Sequence, residues 1–170
     1  MPLRKGGRSI CGMALPERKY PARRMLDESG NRSNLVFVTV CTNRRKTILD
    51  KPDVHELLKA MWCAGSHWLV GRYILMPDHL HLFCAPAMAA PGNVRDWVAF
   101  WKSRAAAHWP RAGEQPVWQR EAWDRQVRRG ESYRVKWDYV RNNPVRAGLV
   151  ARADDWPFQG ELSHLVWHEA

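Results

Sequence analysis

The stretch YILMPDHLHLFCAP, residues 73–86, decides the fold, because it sets two histidines one residue apart inside an apolar run. Read as strand, turn and strand, it alternates its side chains between two faces. His79, His81 and Phe83 then share one face, and Leu80, Leu82 and Cys84 share the other. Pro77-Asp78 is the turn or bulge signal between the strands. Two imidazoles side by side are costly unless something occupies the space between them. Neutral imidazole is a common ligand of divalent metals, and same-face spacing lets both rings reach one ion. Such a pair leaves coordination positions open, as a catalytic metal requires to polarise a phosphate or carbonyl oxygen. No cysteine pair accompanies it, so the spacing does not match a structural zinc site. The residues alone leave two readings open, a metal site or two satisfied histidines.

Outward from this stretch the chain is readily divided. Residues 67–76, HWLVGRYILM, form the strand before the turn. NLVFVTVCTN, 34–43, is dense in β-branched and aromatic residues and predicts an earlier strand. Between them, KPDVHELLKAMWCAG has Pro52 in a first helical turn and Val54, Leu57, Leu58, Met61 and Trp62 at helical spacing, with Gly65 to end it. Residues 93–109 predict a second helix, with Asn93 as N-cap and an apolar line from Val94 through Trp97, Val98, Trp101 and Ala105 to Trp109. Its other side offers Arg95, Lys102, Arg104 and His108. A short strand at 117–127 and a third helix at 132–143 complete the order strand, helix, strand, strand, helix, strand, helix. That order predicts an α+β domain of the ferredoxin-like split βαβ type, an antiparallel sheet with helices on one face.

The chain has 170 residues, one domain's length, and a hydrophobic fraction of 45% that supports a buried core. Its 27 Lys+Arg against 17 Asp+Glu give a net charge of +10, which favours a polyanionic partner, nucleic acid first. Ten tryptophans accompany the charge; most suit the core, and any exposed among arginines would suit base stacking. Residues 1–33 read as a basic arm, 34–160 as the domain and 161–170 as a tail. The four scattered cysteines read as thiols in a reducing compartment. No apolar run approaches the roughly 20 residues of a membrane span. A cytoplasmic, nucleoid-associated protein is the expectation.

GESYRVKWDYVRNNPVRAGLV, 130–150, supplies two tyrosines. On a helical wheel Tyr133, Trp137 and Val140 form the core stripe. Tyr139, about 120° round from Tyr133, falls on the stripe's edge with Val135 and Asn143. Tyr139 is therefore the better candidate for chemistry. Asn143 lies one turn beyond it, just before Pro144, where its amide oxygen suits a third metal ligand. The plainer alternative is that Asn142 or Asn143 caps the helix end. Gly148 is placed to end a short helical turn begun at Pro144.

MPDHLHLF is similar to the HUH motif, His-hydrophobe-His, of single-tyrosine transposases. WDYVRNNPVRAGLV, with DDWPFQG after it and VWQREAWDRQVR before it, resembles the branch called REP-associated tyrosine transposases. The resemblance covers roughly residues 34–160, and its specificity rests on the ordered set of motifs. It implies an HUH nuclease fold, monomeric or homodimeric, that uses Mg²⁺ or Mn²⁺. The relatives cleave single-stranded DNA beside palindromic hairpins through a 5′-phosphotyrosine linkage. By position it implies His79, His81 and Asn143 as metal ligands and Tyr139 as nucleophile. Phosphate contacts would come from the basic arm and from Arg95, Lys102 and Arg104 of the second helix. The chain departs from the pattern in its longer basic arm and in an acid-poor lead, RRGESYRVK, into the tyrosine helix. Three rival readings remain open: a domesticated hairpin-binding protein, a histidine metallohydrolase using activated water, and an RNA-binding ferredoxin-like module.

Overall fold

The computed structural model describes residues 35–64, 67–127 and 133–165. The basic arm, Gly65, the acid-poor lead up to Ser132 and residues 166–170 lie outside the described residues. Five strands, β1 (Val36–Thr42), β2 (Trp68–Met76), β3 (His79–Pro86), β4 (Trp118–Gln126) and β5 (Gln159–Glu161), form one antiparallel sheet in the order β4-β1-β3-β2-β5. The first four strands with α1 (Pro52–Cys63) and α2 (Val94–Ala107) make the split βαβ arrangement.

Helix α1 starts where Lys51 is still extended and Pro52 supplies a preset φ. Asn93 caps α2 by accepting from the Arg95 amide at 2.9 Å. Both helices pack on the face formed by Val36, Val38 and Val40 of β1 with Leu80, Leu82 and Cys84 of β3. Trp62 of α1 and Trp101 of α2 meet edge to face at 5.8 Å and are almost fully buried.

The opposite face carries Phe37, Thr39, His79, His81 and Phe83. A third helix, α3 (Tyr133–Arg141), lies against that face, so the helices divide as two and one. Its Tyr133, Trp137 and Val140 join Ile74, Met76 and Phe83 in a second apolar cluster. The helical stripe read from the sequence is thus the buried one. Helix α3 ends two residues earlier than its pattern suggested, and a single turn, α4 (Asn143–Arg146), follows at once. Gly148 has φ 70°, left-handed backbone suited to the residue closing that turn.

Strand β5 has no counterpart in the sequence reading. Its three residues, QGE, offer no apolar alternation. It is recruited by what precedes it: the buried Trp156 indole donates to the Leu75 carbonyl at 2.8 Å, and the Leu75 amide donates to Phe158. Gly160 permits the approach, because a Cβ there would lie 2.8 Å from the Tyr73 hydroxyl.

Candidate active site

The turn that precedes the histidines is held from outside. Thr42 at the end of β1 donates both its amide and its hydroxyl to the Asp78 carbonyl, at 3.0 and 2.9 Å. The amides of Ile48 and Leu49 both donate to the Pro77 carbonyl. The chain reaches these positions through Arg44 and Arg45, whose φ angles of 52° and 59° are left-handed. For a residue with a Cβ this conformation costs about 1–2 kcal/mol. In that conformation Arg45 sets Nε 2.7 Å from the Asp78 carboxylate. Asp78 in turn accepts from His79 Nδ1 at 2.7 Å. Burial works to raise the Asp78 pKa, but the His79 hydrogen bond and the His79 and Arg45 charges hold the carboxyl below its usual range.

His79 and His81 stand on one face with ring centroids 4.9 Å apart, edge to face. His81 is stacked on Phe37 at 5.2 Å, and its Nδ1 is 2.8 Å from the Thr39 hydroxyl. Burial, reinforced by the neighbouring His79 and Arg45, lowers the His81 pKa to about 3, so its imidazole is neutral at physiological pH. Each Nδ1 is thus tied to a protein oxygen, and in the tautomer in which Nδ1 donates, each Nε2 could ligate a metal. With His79 donating to a carboxylate, this is the outer-shell arrangement that orients metal-bound imidazoles. The donor set fits a divalent metal. Among the described residues no group of three or more His, Cys, Asp or Glu side chains is arranged to hold an ion. A third protein ligand must come from another residue type, and an amide oxygen qualifies.

The two tyrosines have opposite environments. Tyr133 is buried, packed against Phe83 at 4.8 Å and under the Arg72 guanidinium at 5.2 Å. Among the described residues its hydroxyl meets only the Arg72 backbone, too poorly placed for a full hydrogen bond, and burial pushes its pKa up to about 12 against that contact and the Arg72 charge. Tyr139 is 65% exposed. The asparagines divide in a similar way. Asn142 donates its side-chain amide to the Asp138 carbonyl at 2.7 Å, which satisfies a helix-end acceptor. Asn143 does not; its amide oxygen accepts from Arg146.

Arg146 is the residue that sequence reasoning missed. Its guanidinium lies 4.1 Å over the Tyr139 ring and donates to the Tyr139 carbonyl at 2.9 Å and to Asn143 Oδ1. It therefore joins the two candidate side chains of the tyrosine motif. The available signal was its spacing, one turn after Asn143 and two after Tyr139, in the short turn read from Pro144. The structure brings the histidines together and brings Tyr139 and Asn143 together. Among the described residues, no hydrogen bond or ring contact links one pair to the other.

The basic residues of α2 are not alike. Lys102 is only 7% exposed, and its ammonium donates to the Gln119 and Arg120 carbonyls at 2.7 and 3.2 Å. Burial lowers its pKa to about 8. Expected on the outer, DNA-facing side, Lys102 instead ties α2 to β4, because the Trp97–Trp101 stripe is broad enough to draw it inward. Arg95 bonds Asp124 of β4 at 2.8 Å. Arg104 is exposed, with its guanidinium 5.7 Å from the ring of the exposed Phe100.

No protein-family model matches the chain. Among curated proteins it is 27% identical over 89 residues to the REP-associated tyrosine transposase of Escherichia coli (strain K12), covering 52% of each chain. A relative from Haemophilus influenzae is 28% identical over 98 residues, which cover 49% of this chain and 53% of that one. The chain thus spans about half the length of the curated relatives it matches. A solved structure of a REP-associated tyrosine transposase bound to a REP hairpin superposes with a TM-score of 0.65 at 21% identity. That match covers 84% of this chain and 82% of the other. The fold is that of the solved transposase, and in sequence the chain is related to the REP-associated tyrosine transposases.

Proposed function

We propose that this protein is a metal-dependent endonuclease and strand transferase for single-stranded DNA, acting at palindromic hairpins through a 5′-phosphotyrosine intermediate. The observation that carries the reading is the paired histidines, each held by Nδ1 with Nε2 left to ligate, in a fold shared with a hairpin-bound transposase. His79, His81 and the Asn143 amide oxygen would hold Mg²⁺ or Mn²⁺. When bound, the metal supplies Lewis-acid polarisation of the scissile phosphate.

The chain's own residues account for the remaining chemistry. The Tyr139 phenol, exposed and held under Arg146, attacks phosphorus; the bond to the 3′-oxygen breaks as the bond from Tyr139 Oη forms. The phenol proton leaves to solvent and the 3′-oxygen takes one up. A phosphotyrosine ester keeps the phosphodiester's reactivity, so a second 3′-hydroxyl can reverse the attack and join strands without a nucleotide cofactor. Arg146 fixes the ring from above and brings positive charge to a site that receives a phosphate. Arg104 and the basic arm remain as phosphate contacts, whereas Lys102 does not.

Denaturing electrophoresis of the protein with labelled hairpin oligonucleotides, taken from DNA flanking its gene, tests the reading. A covalent protein–DNA adduct that needs Mg²⁺ or Mn²⁺ is expected. Cleavage without an adduct would favour a water-using hydrolase, and binding without cleavage a domesticated hairpin binder.

A further inference from the structure

Eight of the ten tryptophans pack into one of the two apolar clusters, and Trp167 lies outside the described residues. Trp123 belongs to neither cluster and is partly exposed. Its direction follows from the sheet register. Trp123 of β4 is opposite Thr39 of β1, and Thr39 is opposite His81 of β3. Residues paired across antiparallel strands point to the same face. Trp123 therefore stands in the same row as Thr39 and His81, two strands from the histidine and about 10 Å from it. Phe37, diagonal to Trp123 across β1, is stacked on His81 and has the Lys136 ammonium 5.2 Å from its ring. The exposed Arg125 is paired with Phe37 on the same face. Helix α3 buries its stripe with Ile74, Met76 and Phe83, towards β2.

We infer that Trp123 forms a stacking subsite for an unpaired nucleobase of the DNA strand whose phosphate lies at the histidine pair. The inference rests on the nuclease reading above and extends it to a residue outside the metal and tyrosine motifs. An indole that contributes to neither core, on the face of the two histidines and with Arg125 two residues along on the same face, has the features of a sequence-tolerant stacking platform. A single strand running from the histidines towards the β4 edge would place bases, rather than phosphates, over the aromatic rings. In a duplex the base faces are covered by stacking on neighbouring base pairs, so the subsite selects unpaired DNA.

The test uses fluorescence anisotropy at fixed salt with two labelled oligonucleotides. Both carry the same hairpin followed by a single-stranded tail, and in one the tail bases are replaced by abasic sites. For the wild type, abasic replacement is expected to weaken binding about tenfold. Trp123→Ala should weaken binding of the intact tail by a similar factor and leave the abasic oligonucleotide unaffected, while Trp123→Phe keeps most of the affinity. Wild-type-like binding of the intact tail by Trp123→Ala overturns the subsite, as do mutant and abasic losses that simply add. Should Trp123→Ala fail to fold by thermal melting, the wild-type comparison of intact and abasic tails decides, and equal affinities overturn the subsite. Adduct formation measured in parallel separates the two ideas. Adducts with no Trp123 dependence of binding sink the subsite alone, whereas stacking without any adduct sinks the nuclease reading.

Discussion

The two faces of the sheet are built from the same strands, yet they do opposite things with aromatic and polar groups. On the face of α1 and α2, valines, leucines and six tryptophans interlock, and the ammonium of the buried Lys102 is satisfied by two carbonyls. On the other face the row Thr39–His81 and its neighbours His79 and Phe37 put polar nitrogen beside aromatic carbon, and Tyr139 and Arg146 are exposed on α3 and α4. Because side chains alternate along a strand, Leu80, Leu82 and Cys84 of β3 pack under α1 and α2, whereas His79 and His81 face the other way beside the buried Phe83. Stability and reactivity can therefore be altered separately.

The sharpest separation is expected at Tyr139. Tyr139→Phe removes one exposed hydroxyl, so thermal stability and hairpin affinity should match the wild type. Adduct formation should fall on the order of a thousandfold or more, since the nucleophile is gone. Peptide mapping of a trapped wild-type complex checks the assignment directly, and a nucleotide on Tyr133 or any other residue would overturn it. His79→Ala and His81→Ala should likewise lose cleavage while hairpin affinity changes much less, because phosphate contacts dominate binding. Full cleavage by either variant in chelator would remove the metal from the mechanism.

The opposite result is expected on the packed face. Trp101→Ala deletes a nearly fully buried indole that meets Trp62, Trp97 and Trp118 edge to face. It should cost about 3–5 kcal/mol in urea unfolding. Whatever fraction remains folded should keep its adduct-forming rate per molecule. A large stability loss at His79 and a small one at Trp101 would erase the distinction between the faces.

A pH series sharpens the comparison from the histidine side. His81 is held neutral in the fold down to about pH 3, whereas an unfolded histidine takes up its proton near pH 6.5. As pH falls through this window the unfolded chain binds the extra proton first, so stability declines. Above it the contribution is fully present and flat. The stability difference between the wild type and His81→Gln should therefore shrink as pH falls from 6.5 towards 3. A difference that does not change with pH would mean that the His81 ring is not held neutral.

These contrasts also show what sequence could reveal. Alternation made the faces of β3 legible, and the 3.6-residue period separated Tyr133 from Tyr139, because both patterns are local. The inward turn of Lys102 was not legible, since a lysine on a helix flank reads as solvated until β4 places carbonyls within its reach. Strand β5 was hidden because its pairing is set by the Trp156 indole on Leu75, far away in sequence. Arg146 was overlooked because the spacing was followed only to Asn143, and the turn α4 brings its guanidinium back to Tyr139 and Asn143. Asn142 and Asn143 offered the same chemistry in adjacent positions, and only their side-chain hydrogen bonds, to the Asp138 carbonyl and from Arg146, tell them apart.

The smallest expected effect lies where the two kinds of surface meet, at Tyr133. Its ring belongs to the packed cluster under α3, but among the described residues its buried hydroxyl has only a poorly placed contact with the Arg72 backbone. A buried polar group that makes no hydrogen bond is a liability, and its removal leaves nothing else unsatisfied. Phenylalanine keeps the ring against Phe83 and keeps a face for the Arg72 guanidinium. Tyr133→Phe should therefore be neutral or stabilising by up to about 1 kcal/mol, and adduct formation on Tyr139 should proceed at the wild-type rate. Urea unfolding with the electrophoretic assay reads both quantities on one preparation. A loss of stability larger than about 1 kcal/mol would mean that the hydroxyl does bond in solution. A loss of adduct with stability intact would move Tyr133 from the packing of this face to its chemistry.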